Sequence, residues 1–257
     1  MVRPAVAICL LWALCSIGCS ALKQMAAMRM DVDPRLKAAA KPMTVEVQTE
    51  GSAISSLKFS DFEAHQISIK FSKRHGYAWG SSAKQKGDFV FTFDLHQTGT
   101  SKGQVVCEGR FDLKVNRQFE RGEVGLVCGM ENADEAEPRW YLELNGLSRF
   151  DLTGRYYFEG SKYRIASSNV QQYQGLQTAM VMGYHVSDAN KTVIAAIETA
   201  AKTKTIWVAP DHLPLHESLA RAASALIIFE SIVPYVPAGG RSFDKIHGDR
   251  FKWYPGT

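Results

Sequence analysis

The sequence predicts a mainly β fold, an antiparallel barrel or sandwich of about ten short strands with one buried hydrophobic helix near the C-terminus. Three observations lead to this prediction. From about residue 43 to residue 209, apolar side chains mostly recur at every second position, as they do in half-buried strands. Turn-forming pairs, such as Asn145 with Gly146 and Glu159 with Gly160, separate these runs. After Asp211 the apolar spacing becomes that of a helix.

The first residues have the three parts of a secretory signal. Arg3 supplies the positive charge, residues 5–14 form an apolar run, and small residues follow at Ser16, Gly18 and Ser20. The run is too short to span a hydrocarbon core, which needs about 20 residues. The N-terminus therefore predicts export.

The stretch Ser16-Ile17-Gly18-Cys19 resembles the lipobox of bacterial lipoproteins. The resemblance implies that Cys19 carries a thioether-linked diacylglycerol and becomes the first residue after cleavage. Ser20, rather than Asp, follows the cysteine, and the resemblance then implies sorting to the outer membrane, facing the periplasm. An ordinary signal peptidase cutting before Ala21 is the open alternative, and the product would be a soluble periplasmic or secreted protein.

The predicted organisation follows from these assignments. Residues 1–18 are the signal peptide, and residues 19–45, rich in Ala, Lys and Met with Pro34 and Pro42, are the anchor and a tether. Residues 46–232 form the β-rich domain with its helix, and residues 233–257 form an irregular tail. The predicted strands of the domain and of the tether's end are 44–49, 67–71, 89–95, 105–115, 124–130, 140–144, 150–158, 162–167, 178–186, 192–199 and 203–208.

Two cysteines remain after the signal and the anchor. Cys107 and Cys128 each lie on the apolar face of a predicted strand, and the polar segment 116–122 between them is predicted to be a hairpin loop. In an oxidising compartment this arrangement predicts a structural disulfide. Two buried free thiols are the alternative.

The C-terminal helix is predicted to begin at Asp211, which can act as its cap, with Pro214 in its first turn. Residues 222–229 are apolar almost all round. A helix that is apolar on every side must be buried on every side.

A β-rich domain followed by such a helix resembles the tubby-like architecture, in which an antiparallel barrel closes around a central C-terminal helix. The segments 183–186, 193–198, 206–208 and 219–229 are also similar to the ends of uncharacterised bacterial envelope lipoproteins. The resemblance covers about residues 45–232, favours the barrel and brings no ligand-binding residues with it. The tail after residue 232 departs from it, so a sandwich with a packed helix remains open.

No motif indicates a cofactor, a metal site or nucleic-acid binding. His212 and His216 could share a helical face, but no further ligand accompanies them. Glu63 with His65, and Asp94 with His96, alternate along strands as acid–base pairs do, yet Asp94 and His96 fall on the solvated face. No catalytic residue is assigned. Aromatic side chains are favoured in strands, where they pack against their neighbours, and they also line ligand surfaces. Both interpretations apply to Trp140, Tyr141, Tyr156, Tyr157, Tyr163 and Tyr173.

The expected function is that of a non-catalytic, membrane-anchored envelope lipoprotein. Its partners would be the membrane, through the lipid, and an envelope protein, peptidoglycan or lipid bound by the β domain. The alternatives are an envelope hydrolase with a site assembled from distant strands, and a carrier of an apolar ligand if the helix packs outside the barrel.

Overall fold

The computed structural model describes residues 29–51, 53–79, 82–116, 119–130, 140–169 and 181–233. The predicted signal peptide, Cys19, Tyr173 and almost all of the predicted tail lie outside these residues.

Twelve antiparallel strands form a closed barrel. Each strand pairs with its neighbours in the chain, and the first strand pairs with the last to close the sheet. The strands are β1 (Met43–Glu50), β2 (Ala53–Phe59), β3 (Phe62–Trp79), β4 (Ser82–Gln97), β5 (Thr100–Asn116), β6 (Phe119–Met130), β7 (Trp140–Gly146), β8 (Thr153–Phe158), β9 (Ser161–Ser168), β10 (Gly183–Ser187), β11 (Val193–Glu198) and β12 (Lys204–Val208).

The prediction of a mainly β, antiparallel barrel with one C-terminal helix is confirmed, and the sandwich alternative is wrong. The expected count of about ten strands is not confirmed, because the prediction omitted β2. In β2 the adjacent Ser56 and Leu57 are both buried, so the apolar period of two is lost. A register shift between Gln48 and Thr49 of the paired β1 accompanies this irregularity.

The β5–β6 hairpin is longer than predicted. Its pairing continues to Asn116 opposite Phe119, so residues 119–122 belong to β6 and not to a loop. Gly109, which interrupts the alternation in β5, lies opposite Phe89 of β4. A Cβ atom at Gly109 would lie 2.2 Å from the Phe89 ring, so glycine is the residue that allows this ring to pack flat on the sheet.

Two helices accompany the barrel, α1 (Pro34–Ala39) and α2 (His216–Ile232), with 3-10 turns at Arg149–Asp151 and Pro210–Leu215. The predicted helix start at Asp211 is wrong, because that residue lies in the second 3-10 turn. The backbone leaves helical angles at His212 (φ −113°, ψ 23°), so a helix begun at Asp211 is interrupted there, and the α-helix begins at His216. Among the described residues, no helix is long and apolar enough to cross a membrane.

Helix α2 occupies the interior of the barrel. Residues 218–229 are all buried, and its apolar side chains share one core with inward-facing side chains from all twelve strands. Trp140 donates its indole N–H to the Ser218 carbonyl oxygen at 3.1 Å, and the Tyr156 hydroxyl is hydrogen-bonded to the Ser218 hydroxyl. Near the other end of the helix, Tyr184 donates to the Glu230 carboxylate. The helix is therefore held to the barrel wall at both ends.

The segment from Arg29 to Ala40, predicted as part of a tether, packs on the outside of the barrel. Asp33 caps α1 by accepting the Arg35 N–H at 2.8 Å. A second, smaller core forms beneath this segment, and its buried members are Met30, Val32, Leu36, Ala40, Met182, Ala196 and Trp207. The described part of the predicted tether is thus ordered structure.

A fully buried carboxylate holds this segment in place. Glu198, at the end of β11, accepts the Met30 backbone N–H at 2.8 Å and pairs with the Arg29 guanidinium at 2.9 Å. Burial raises the pKa of Glu198 above its ordinary value, although the Met30 N–H and the charge of Arg29 oppose the rise.

The substitution Glu198→Gln should flatten the pH dependence of stability. A carboxyl group whose pKa is raised by folding binds more protons in the folded state, so the free energy of unfolding falls as pH rises from its ordinary pKa through the raised one. The glutamine keeps an oxygen for the Met30 N–H but does not titrate. Urea unfolding between about pH 4 and pH 7 should show a larger loss of stability in the wild type than in the variant. If the free energy of unfolding changed equally with pH in the wild type and the variant, the raised pKa assigned to Glu198 would be contradicted.

Candidate functional site

The two cysteines predicted to form a disulfide lie directly opposite each other on β5 and β6. Both are fully buried, and their sulfur atoms are at disulfide-bond distance. The predicted pairing of Cys107 with Cys128 is therefore seen in the structure. The bond joins the two strands inside the barrel, next to the helix-filled core, and its position indicates a structural role.

The aromatic side chains divide between the two faces of the barrel wall. Trp140 and Tyr156 point inward and are used to hold α2, and burial raises the pKa of the Tyr156 hydroxyl well above its ordinary value. Tyr163 packs against Tyr156, with 5.6 Å between ring centroids. Tyr141 and Tyr157 form a tilted pair with centroids 6.0 Å apart. Trp140 and Tyr156 therefore contact the helix, whereas the Tyr141 and Tyr157 rings pack against each other on the outer face.

His212 and His216 do not share a helical face. His212 has non-helical backbone angles in the 3-10 turn (φ −113°, ψ 23°), whereas His216 is the first residue of α2. Within the part of the chain that the structure describes, no group of three or more His, Cys, Asp or Glu side chains is arranged to hold a metal ion.

The two acid–base pairs considered from the sequence become neighbours on β3 and β4. Glu63 lies opposite His96, and His65 lies opposite Asp94. The two imidazole rings meet edge to face, with centroids 4.1 Å apart. All four residues are partly exposed, while the intervening Phe93 and Leu95 are buried, so the cluster lies on the outer face of the barrel.

The sequence did not reveal a groove that lies on the outer face of the barrel, on the side away from β3 and β4. It lies across the outer faces of β7, β8 and β9 and extends to the turn between β10 and β11, and its volume is about 650 Å³. This volume is within the usual range for ligand sites, about 300–1,000 Å³. Its charged lining residues are Glu143, Arg155, Lys162, Arg164, Asp188 and Lys191, and Asn145 and Thr153 add polar groups.

The charges of the groove follow from the alternation of the strands. Arg155 alternates with the inward-facing Tyr156, and Arg164 precedes the buried Ile165, so both arginines point to solvent. The turn that closes one end is fixed by Asp188, whose carboxylate accepts the Thr192 backbone N–H at 2.8 Å. Lys191 in the same turn has a positive φ of 65°. The groove therefore has a rigid floor of strands and one ordered turn at its edge.

A weak sequence signal for this groove exists in Lys162 and Arg164 at alternate positions of β9, and in Arg155 of β8. It becomes a site only when the register places Arg155 opposite Arg164 and Glu143 opposite Arg155. No family model matches this chain, and no curated protein or solved structure matches it.

The disulfide can be tested by alkylation under denaturing conditions. Because both sulfurs are bonded and buried, Cys107 and Cys128 should stay unmodified in unreduced protein and react fully after reduction. Mass spectrometry of the 107- and 128-containing peptides measures this. Reduction should also lower the free energy of unfolding by about 3 kcal/mol. Labelling before reduction would mean free thiols.

Proposed function

We propose that this protein is a lipid-anchored binding module of the bacterial envelope, held to the outer membrane through Cys19. The observation that carries the binding role is the position of α2. A barrel interior filled by a helix and its packed side chains leaves the outer face and the loops for recognition. The groove on β7–β9 is an open concavity of this outer face, with a floor of paired strands and six charged lining residues.

The fold also supports the tubby-like assignment as part of this proposal. Twelve antiparallel strands closed around a buried helix at the end of the domain are the arrangement expected from that resemblance. The outward-packed segment from Arg29 to Ala40 is an addition at the N-terminal side of the barrel. No ligand-binding residue is transferred from the resemblance.

The hydrolase alternative has one supporting observation. The register aligns Glu63, His96 and Ser101 across β3, β4 and β5 in the order acid, base, hydroxyl. The Ser101 hydroxyl instead accepts the Gly103 N–H at 3.3 Å, and no side-chain hydrogen bond joins the three among the described residues. A nucleophile needs a base within hydrogen-bond reach, so the binding role is favoured. The carrier alternative required α2 outside the barrel, and the helix lies inside.

The anchor is tested by Cys19→Ala. Without the cysteine no diacylglycerol can be attached, so the mature protein should move from the membrane fraction to the soluble periplasmic fraction. Fractionation of cells and immunoblotting measures the distribution. Retention in the membrane fraction of the variant would contradict lipid anchoring.

The binding face is tested by photocrosslinking in cells. A photoreactive residue replacing Lys162 in the groove should capture a specific cell-envelope component, because the groove is the proposed contact. Lys70 on β3 is the matched control, since it is an equally exposed lysine six strands away around the barrel. Capture from position 70 alone would place the binding face elsewhere, and capture from neither would contradict the proposed role.

A further inference from the structure

Two arginines face each other in the groove without any partner that neutralises them. Arg155 and Arg164 are directly opposite on β8 and β9, and both are exposed. Like charges in this position destabilise an antiparallel pair. Neither forms an ion pair with any other residue that the structure describes. The sheet thus pairs two cationic residues on neighbouring strands at some cost in stability.

Two carboxylates lie near this pair and offset only part of the positive charge of the groove. Glu143 lies opposite Arg155 on the β7 side without forming an ion pair with it, and its carboxylate accepts the Asn145 side-chain N–H at 3.0 Å. Asp188 is engaged by the backbone of its own turn. With Lys162 and Lys191 the groove has four basic side chains against these two acids. It is therefore net positive, with a negative group at two places on its lining.

We propose that the groove binds a short peptide that carries several carboxylates and a free amine. In a bacterial envelope the peptide stems of peptidoglycan have this chemistry, and the inference in that respect rests on the proposed envelope location. Guanidinium groups suit carboxylates, because each planar fork can donate two parallel hydrogen bonds to one carboxylate. Glu143 is placed to accept the amine.

A peptide fits the groove better than the surface of a membrane does. The groove is concave and closed at one end by the turn 188–191, and it has the dimensions of a site for a small molecule. A membrane surface is broad and attracts clusters of basic residues.

The test is a calorimetric titration of the full protein, extracted from membranes in detergent, with the stem tripeptide L-alanyl-γ-D-glutamyl-meso-diaminopimelate. The expected result is saturable binding that is weakened about tenfold or more by Arg164→Ala, because a charge-assisted hydrogen-bond pair is lost. The matched control is Arg121→Ala, which removes an exposed arginine from β6 outside the groove. Its affinity should equal that of the wild type.

Misfolding does not obscure this test. Arg164→Ala removes one of two facing cations, so its resistance to urea should equal or exceed that of the wild type. The tripeptide with amidated carboxylates should bind at least about tenfold more weakly than the free acid. The inference would be overturned if the free and the amidated peptide bound equally well, or if Arg164→Ala and Arg121→Ala lost the same affinity. It would also be overturned if the protein bound phosphatidylglycerol vesicles and not the tripeptide. If the tripeptide does not bind but position 162 still captures an envelope component, only the assignment of the peptide as ligand is overturned. If both experiments fail, the groove is not a binding site.

Discussion

The burial of α2 on every side is the constraint on which the rest of the structure depends. A helix without a polar face can exist in a water-soluble domain only if apolar groups surround it completely. Twelve strands closed into a barrel provide that surrounding, because a closed sheet presents one continuous inner face. The side chains of α2 and the inner face of the sheet then form a single core.

This constraint also determines how polar groups are used. The few polar contacts inside the barrel, such as those of Ser218 with Trp140 and Tyr156, satisfy groups that would otherwise be buried without partners. Near the start of α2, Glu217 pairs with Arg221 at 2.6 Å and with Lys102 at 3.2 Å, and these charges lower the pKa of Glu217 against the effect of burial. These groups fix the helix in position.

The outer face has two regions with different physical character. On β10–β12 it is apolar and covered by the segment from Arg29 to Ala40, which is held by the buried Glu198. On β7–β9 it is open and strongly charged, with Arg155 between Glu143 on one strand and Arg164 on the other.

Much of the fold could be predicted because period-two alternation reports directly on which face of a strand is buried. Phe89, Phe91, Phe93 and Leu95 are all inside, as their spacing predicts. The disulfide pairing was predictable because Cys107 and Cys128 share the inner face of one hairpin. Strand β2 was not, since Ser56 and Leu57 break the alternation. The helix start was misplaced because Asp211 resembles a cap, whereas the backbone is non-helical at His212 and the α-helix begins at His216.

The sequence by itself determined the strand character of the chain, the apolar helix and the cysteine pair, because each is encoded by spacing along the chain. The closure of the sheet into a barrel, the position of the helix inside it and the groove on the outer face were decided by tertiary structure. The reason is physical: these features depend on register, which brings Glu143, Arg155 and Arg164 side by side from three strands. Spacing within one strand reports which face a side chain occupies, and only pairing between strands determines its neighbours.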